Sequence, residues 1–271
     1  MKVEIYVLKV LLVAISMALG CCVAYAAPPA GGMPKCTILY DNNPHDASLK
    51  TGWGFSCLIE GREKTILFDT GGDGSLLLAN MRKLGIAPRQ IDALVISHLH
   101  GDHMGGMHHV LRKNREAISY LPGSFSESFR KKGGTYGSKA VHVHGPVAIC
   151  EGVFSTGELG TMPREQSLVV RTTKGLIIVA GCAHAGIGTV VRTAKEQLGG
   201  EILLVIGGFH LVKSTKAEVE TVIANLKMLG VRHVAACHCT SDLARRLFRQ
   251  AFGSGFIDTG VGKVIDTEEL R

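Results

Sequence analysis

The segment Ser97-His98-Leu99-His100-Gly101-Asp102-His103 concentrates imidazoles and a carboxylate within a few residues. These are the ligands that borderline divalent metals take. His98 and His100 stand two apart, so an extended or turning segment lets both converge on one ion. Asp102 and His103 follow on the next turn and can face a second ion. So many polar groups have little use in a core, where each unpaired one is costly. Two further histidines extend the set. His184 lies in Gly181-Cys182-Ala183-His184-Ala185-Gly186-Ile187, and His238 in Cys237-His238-Cys239-Thr240. Each follows an apolar run that reads as a strand. Ligands at strand ends are held rigidly yet stay reachable from one edge.

His-x-His-x-Asp-His after a strand resembles the signature of the metallo-β-lactamase superfamily. The Phe68-Asp69-Thr70-Gly71 turn, His184 and His238 match its other motifs in order. The resemblance implies an α/β fold, the αβ/βα four-layer sandwich, with the site at one edge between the sheets. It implies that His98, His100 and His184 hold one metal, and Asp102, His103 and His238 the other. Asp102 and His103 would stand nearest the catalytic chemistry. Asp69 would orient a ligand histidine by accepting from its second ring nitrogen.

One departure from that pattern is informative. Superfamily members place a metal-bridging Asp between the last two motif histidines. Between His184 and His238 this chain has no Asp, and its acids there are Glu196, Glu201, Glu218 and Glu220. The strand Ile202–Ile206 runs into Gly207-Gly208-Phe209-His210-Leu211, so His210 stands where the bridge would be and is a further candidate ligand. Together with Gly181–Ile187, His238-Cys239-Thr240, Asp41-Asn42-Asn43 and Glu165-Gln166-Ser167-Leu168, this run resembles one branch of the family. The branch is named for 7,8-dihydropterin-6-yl-methyl-4-(β-D-ribofuranosyl)aminobenzene-5′-phosphate synthase.

Two divalent ions are the implied cofactors, zinc first, with iron or manganese as alternatives. Two close ions lower the pKa of a water and polarise a carbonyl or phosphoryl oxygen. The leading expectation is a hydrolase acting on a small anionic substrate. The alternative is a synthase-type transferase on a dihydropterin-like substrate, with the ions stabilising an anionic intermediate or leaving group during C–N bond formation. A third reading is a metal-binding protein without catalysis. The full ligand set and a basic, aromatic insert favour an enzyme.

Substrate contacts are sought among Asn42 and Asn43 at the site edge, His142 on a strand with His144, and Phe209. Phe125, Phe129, Tyr136 and Phe209 are the expected suppliers of a stacking ring. Cys182 and Cys239 adjoin the ligand histidines, which are expected to keep the metals without them. The run Arg130-Lys131-Lys132 reads as a solvated stretch.

The elements that must carry these residues alternate along the chain. Strands are expected at Thr37–Tyr40, Gly54–Glu60, Thr65–Phe68, Ile91–Ser97, Ser167–Arg171, Leu176–Ala180, Glu201–Gly207, Val231–Cys237 and Val261–Ile265. Helices are expected at Leu76–Leu84, Thr189–Leu198, Thr215–Leu229 and Asp242–Phe252, the third with a Thr215/Glu218 capping box. Both halves carry the order strand, metal-type residue, helix, which suggests two similar layers packed face to face. Residues near 120–140 read as an inserted lid.

The chain has 271 residues and a formal net charge of +7. Its positive charges form no stripe, and aromatics are few. The excess therefore suits an anionic small molecule and argues against nucleic acid as a partner. Residues 1–26 read as a signal peptide, with a short apolar run ending in Ala24-Tyr25-Ala26. Export to a bacterial periplasm follows, with an uncleaved N-terminal membrane anchor as the alternative. Residues 27–271 then form the working domain. Cys36, Cys57, Cys150, Cys182, Cys237 and Cys239 are scattered in apolar contexts and read mostly as free thiols.

Overall fold

A computed structural model of the chain describes residues 32–126, 129 and 137–271. The expected signal peptide, and residues 127–128 and 130–136 of the expected lid, lie outside the described residues. Among the described residues the strands form two sheets. The first contains β1 (Lys35–Tyr40), β2 (Ser56–Glu60), β3 (Ile66–Phe68), β4 (Ala93–Val95), β5 (Ile118–Pro122), β6 (Ala140–Val143) and β13 (Val264–Asp266), in the order β13-β1-β2-β3-β4-β5-β6. The second contains β7 (Val147–Cys150), β8 (Val153–Ser155), β9 (Leu168–Thr172), β10 (Gly175–Ala180), β11 (Ile202–Gly208) and β12 (Val231–Cys237), in the order β12-β11-β10-β9-β8-β7.

Side-chain alternation explains the layering. In β10, Ile177 and Val179 face the core between the sheets, while Leu176, Ile178 and Ala180 face outward. Cys36, Ile38, Phe68 and Val95 of the first sheet join Val170, Ile206 and Cys237 of the second in that inner core. Helices cover both outer faces. Helix α1 (Gly74–Lys83) and helix α3 (Met107–Lys113) pack Leu77, Met81, Val110 and Leu111 on Leu58, Leu67 and Leu94, with the short α2 (Gly101–Met104) between them in sequence. On the other side α4 (Ile187–Leu198), α5 (Lys216–Met228) and α6 (Asp242–Phe252) pack Val191, Val219, Ile223 and Phe248 on Val205, Val234 and Ala236. The result is the expected four-layer α/β sandwich.

Strands β3 to β6 run parallel to one another, as do β10 to β12. Parallel strands are covered on both faces, which accounts for their unbroken apolar runs. Their C-terminal ends carry the metal-type residues. Helix starts follow local chemistry. Asp73 Oδ1 accepts from Ser75 N at 2.8 Å and opens α1 before the expected Leu76. The Thr215/Glu218 capping box opens α5, with Glu218 Oε2 accepting from Thr215 N at 2.7 Å. Strands β5, β7 and β8 are additional to the expected set. The start of the expected lid is core: Leu121 and Phe125 are buried, and Phe129 packs edge-on to Phe125 at 5.1 Å. Phe125 is therefore no stacking surface for a ligand. All six described cysteines are free. No helix among the described residues is long and apolar enough to cross a membrane.

Candidate metal centre

Five strand ends deliver the site. Asp69 follows β3, and Ser97 to His103 run from β4 into α2. Cys182 and His184 follow β10, His210 follows β11, and His238 follows β12. Among the described residues, the non-glycine positions with positive φ are Asp69 (57°), Ala183 (57°), His210 (55°) and His238 (46°). All four belong to these strand-end turns. Such backbone costs about 1–3 kcal/mol per residue and persists only where its surroundings hold it.

The ligand candidates fall into two triads. His98 Nε2 lies 3.0 Å from His100 Nδ1 and 3.3 Å from His184 Nε2. His103 Nε2 lies 3.1 Å from His238 Nε2, and Asp102 Oδ2 is 3.6 and 3.3 Å from those two atoms. In each triad the donor atoms lie within 4.8 Å of one another. Donors at about 2.0–2.2 Å around a tetrahedral ion stand roughly 3.3–3.5 Å apart, so the spacing suits a zinc-sized ion.

Hydrogen bonds fix which nitrogen faces inward. Asp69 is fully buried and accepts from Ser97 N, from Ser97 Oγ and from His103 Nδ1, each at 2.7 Å. Ser97 has a single hydroxyl proton, and it goes to Asp69. Its oxygen must then accept from His98 Nδ1, 2.9 Å away. Asn42 Nδ2 donates to His238 O at 3.2 Å, which turns Asn42 Oδ1 toward His238 Nδ1 at 3.0 Å. His98, His103 and His238 are thus all protonated at Nδ1 and present an Nε2 lone pair. In the neutral tautomers two such lone pairs, on buried His103 and His238, face each other at 3.1 Å, and either a shared proton or a bound cation relieves that contact. The donor set thus fits a bound divalent metal.

Electrostatics agree. Burial, reinforced by His103, His184 and His100, pushes His98 well below the usual imidazole range. Burial and the neighbouring His210 and His100 bring His184 down to about 4. Both rings are therefore neutral at neutral pH, the form in which an imidazole can bind a metal. Burial works against the charge of Asp102, but its hydrogen bond with His238 and the nearby His103 outweigh it and hold Asp102 down to about 2. Burial likewise opposes charge on His103, and Asp69 more than offsets it, so His103 titrates above its ordinary value.

Two buried acids hold the loops. Glu165 accepts three consecutive backbone N–H groups: Cys182 N at 2.8 Å, Ala183 N at 2.9 Å and His184 N at 2.8 Å. Burial raises its pKa, and those three donors oppose the rise. Asp41 accepts from His238 N at 3.1 Å and from Asn43 N at 2.6 Å. These two carboxylates position His184 and His238.

The structure gives several of the expected substrate contacts partners within the protein. Asn42 is a tether for His238. Asn43 is bound up with Asp41 and with Arg245, whose Nη1 donates to Asn43 Oδ1 at 2.6 Å. Phe209 is 2% exposed and packs edge-on to Phe248 at 5.4 Å, because the outer core gains its ring area. His142 sits on the edge strand β6 and is not among the residues that line the cavity described next. His210 does reach the site, but at its rim. Its ring lies 4.4 Å from that of His184, and its donor atom groups with Cys182 and Cys239 in place of either triad.

A cavity of about 500 Å³ opens over both triads, walled by Trp53, Asp102, His184, His210, Lys213 and His238 among others. Trp53 is 55% exposed and its ring centroid is 5.1 Å from that of His238. Sequence reading passed over Trp53 and Lys213. A lone tryptophan in Gly52-Trp53-Gly54 has no periodicity to betray it, although it is the chain's single Trp. It also passed over Glu165 as a positioning group, since only the fold brings it beneath residues 182–184.

Comparison with known proteins bears on the same residues. A curated relative from Methanocaldococcus jannaschii, 7,8-dihydropterin-6-methyl-4-(beta-D-ribofuranosyl)-aminobenzene-5'-phosphate synthase, is 29% identical over 84% of this chain and 95% of its own length. The crystal structure of Tm1679, a metal-dependent hydrolase of the beta-lactamase superfamily, superposes with a TM-score of 0.74 at 26% identity, over 86% of this chain and 98% of that one. YhfI from Bacillus subtilis, a metallo-beta-lactamase fold protein, shares the fold with a TM-score of 0.65 at 14% identity, over 88% and 99% of the two chains. The family model of the metallo-beta-lactamase superfamily matches residues 53–198, from Trp53 through the first triad and helix α4, and the chain belongs to that superfamily.

Proposed function

We propose that the chain is a metal-dependent enzyme of synthase type, joining a dihydropterin-like ring to an amine acceptor that carries an anionic group. The observation that carries this reading is the cavity: an exposed indole and a lysine flank the two triads. Two divalent ions held by His98, His100 and His184 and by Asp102, His103 and His238 would supply Lewis acidity toward an anionic leaving group. The remaining tasks belong to the chain. Trp53 offers one face to a planar heterocycle, and aromatic stacking favours such a ligand over a flexible one. Lys213, on the same wall, is a mobile point charge suited to a phosphate. His210, whose pKa is raised by its hydrogen bond to Cys239, stands at the rim. Asp69, Glu165 and Asn42 keep the ligand rings from turning. The likeness to the synthase from M. jannaschii, spread over most of both chains, supports the same reading.

The test is turnover of the metal-loaded protein on two sets of substrates. One pairs an activated dihydropterin with an arylamine. The other offers phosphoester, lactone and β-lactam compounds to water alone. The reading expects a coupled product from the first set, and a higher KM for the pterin in Trp53→Ala. Hydrolysis of the second set with no coupled product would overturn it. That outcome would favour a hydrolase, the reading that the likeness to Tm1679 supports.

A further inference from the structure

We propose that the thiolate of Cys182 is itself a ligand of this centre, standing between the two triads and shared by them. This rests on the two-metal reading above. Cys182 Sγ lies 3.2 Å from His103 Nε2, the very atom through which His103 serves the second triad. The same sulfur forms a group with His98 and His103 in which all donor atoms lie within 4.8 Å of one another, and all three residues are buried. His98 belongs to the first triad and His103 to the second, so the sulfur faces a donor of each.

The backbone is built to keep it there. Gly181, just before Cys182, lies so close to the relay that a Cβ on it would come 2.3 Å from Ser97 Oγ and 2.9 Å from Asp69 Oδ2. The amide of Cys182 is fastened to Glu165 at 2.8 Å. Cys239 is the neighbouring thiol, and its sulfur groups with that of Cys182 and with His210, the donor atoms within 4.8 Å of one another. Its sulfur accepts from His210 N at 3.2 Å and donates to the Cys182 carbonyl at 3.8 Å. It therefore braces the loop that carries Cys182.

Charge gives the sulfur a purpose. The two triads bring five imidazoles and one carboxylate, Asp102, to two dications. A second anionic donor between the ions lowers their repulsion. Thiolate is a strong donor to zinc-like and other borderline metals, at about 2.3 Å. No proton acceptor or co-reactant is needed beyond the solvent that takes up the thiol proton when the metal binds.

The experiment loads metal-free full chain with Co(II) alone and records its spectrum. Visible d–d bands report the histidine triads, and a near-ultraviolet charge-transfer band reports sulfur. The expected result is two equivalents of cobalt bound with a charge-transfer band. That band is lost in Cys182→Ser and Cys182→Ala and kept in Cys239→Ser, with the d–d bands present throughout. X-ray absorption of the zinc-loaded wild type gives an answer that needs no variant, a sulfur neighbour at about 2.3 Å. Two bound ions with nitrogen and oxygen neighbours only would overturn the proposal and leave the two-metal reading standing. So would a charge-transfer band that survives in Cys182→Ser or disappears only in Cys239→Ser. A chain that binds no cobalt would instead overturn the two-metal reading.

Discussion

Glu165→Gln isolates the part of the site that no metal ligand supplies. In the wild type one carboxylate oxygen accepts from Cys182 N and Ala183 N and the other from His184 N, at 2.8–2.9 Å. A glutamine keeps the shape but has one acceptor oxygen. Whichever way the amide turns, at least one buried N–H faces an NH₂ group. A hydrogen bond to a charged group contributes about 1.5–3 kcal/mol, so the loss is about 2 kcal/mol. For a chain of this size that is a fall in Tm of roughly 4–8 °C, taking about 2–4 °C per kcal/mol. Ala183, at φ 57°, also loses the clamp that holds its unfavourable backbone. His184 is then less well placed, and the affinity of the first triad for metal falls by more than that of the second. Thermal unfolding of the metal-free protein and competitive zinc titration read the two effects. A variant that melts within about 1 °C of wild type and binds both ions unchanged would refute the role given to Glu165.

Two other perturbations follow from the same network. Asp69→Asn removes the acceptor that sets the His103 tautomer, and loss of such a partner costs about 10–100-fold in metal affinity. The drop should fall on the second triad in a zinc titration. The second perturbation is acidification of the metal-free protein. His98 titrates below the ordinary value of 6.5 when folded, so the unfolded chain takes up a proton that the folded one refuses. Stability is lost as pH falls below about 6.5, and His98→Gln should lose less Tm between pH 7 and pH 5 than wild type. Asp69 raises His103, which contributes in the opposite sense, so comparison of the two proteins isolates His98.

The candidate ligand set was legible because its chemistry is written in consecutive or strand-terminal residues. Apolar strand runs end at Val95, Ala180 and Cys237, and the histidines follow within a few residues. What failed was inference about direction. Phe209 and His210 are neighbours, yet one ring enters the outer core and the other reaches the cavity rim. Nothing local tells an asparagine that tethers a histidine from one that meets a substrate. Asn42 acquires its role from a contact 196 residues away. Glu165 and Cys182 are similar: each lies in a motif that resembles the family, but only the packing of β9 and β10 beneath the site gives them partners. Strand β5 was hidden because Gly and Pro after residue 121 drew attention to an insertion. Its buried residues already belong to the sheet.

The central claim is that two triads hold two metal ions. Zinc titration of the metal-free chain, read by calorimetry with elemental analysis of the loaded protein, tests it most directly. The account predicts two equivalents for wild type. His184→Ala should retain one through Asp102, His103 and His238, and His238→Ala should retain one through His98, His100 and His184. A single equivalent in wild type, or two in both variants, would contradict it.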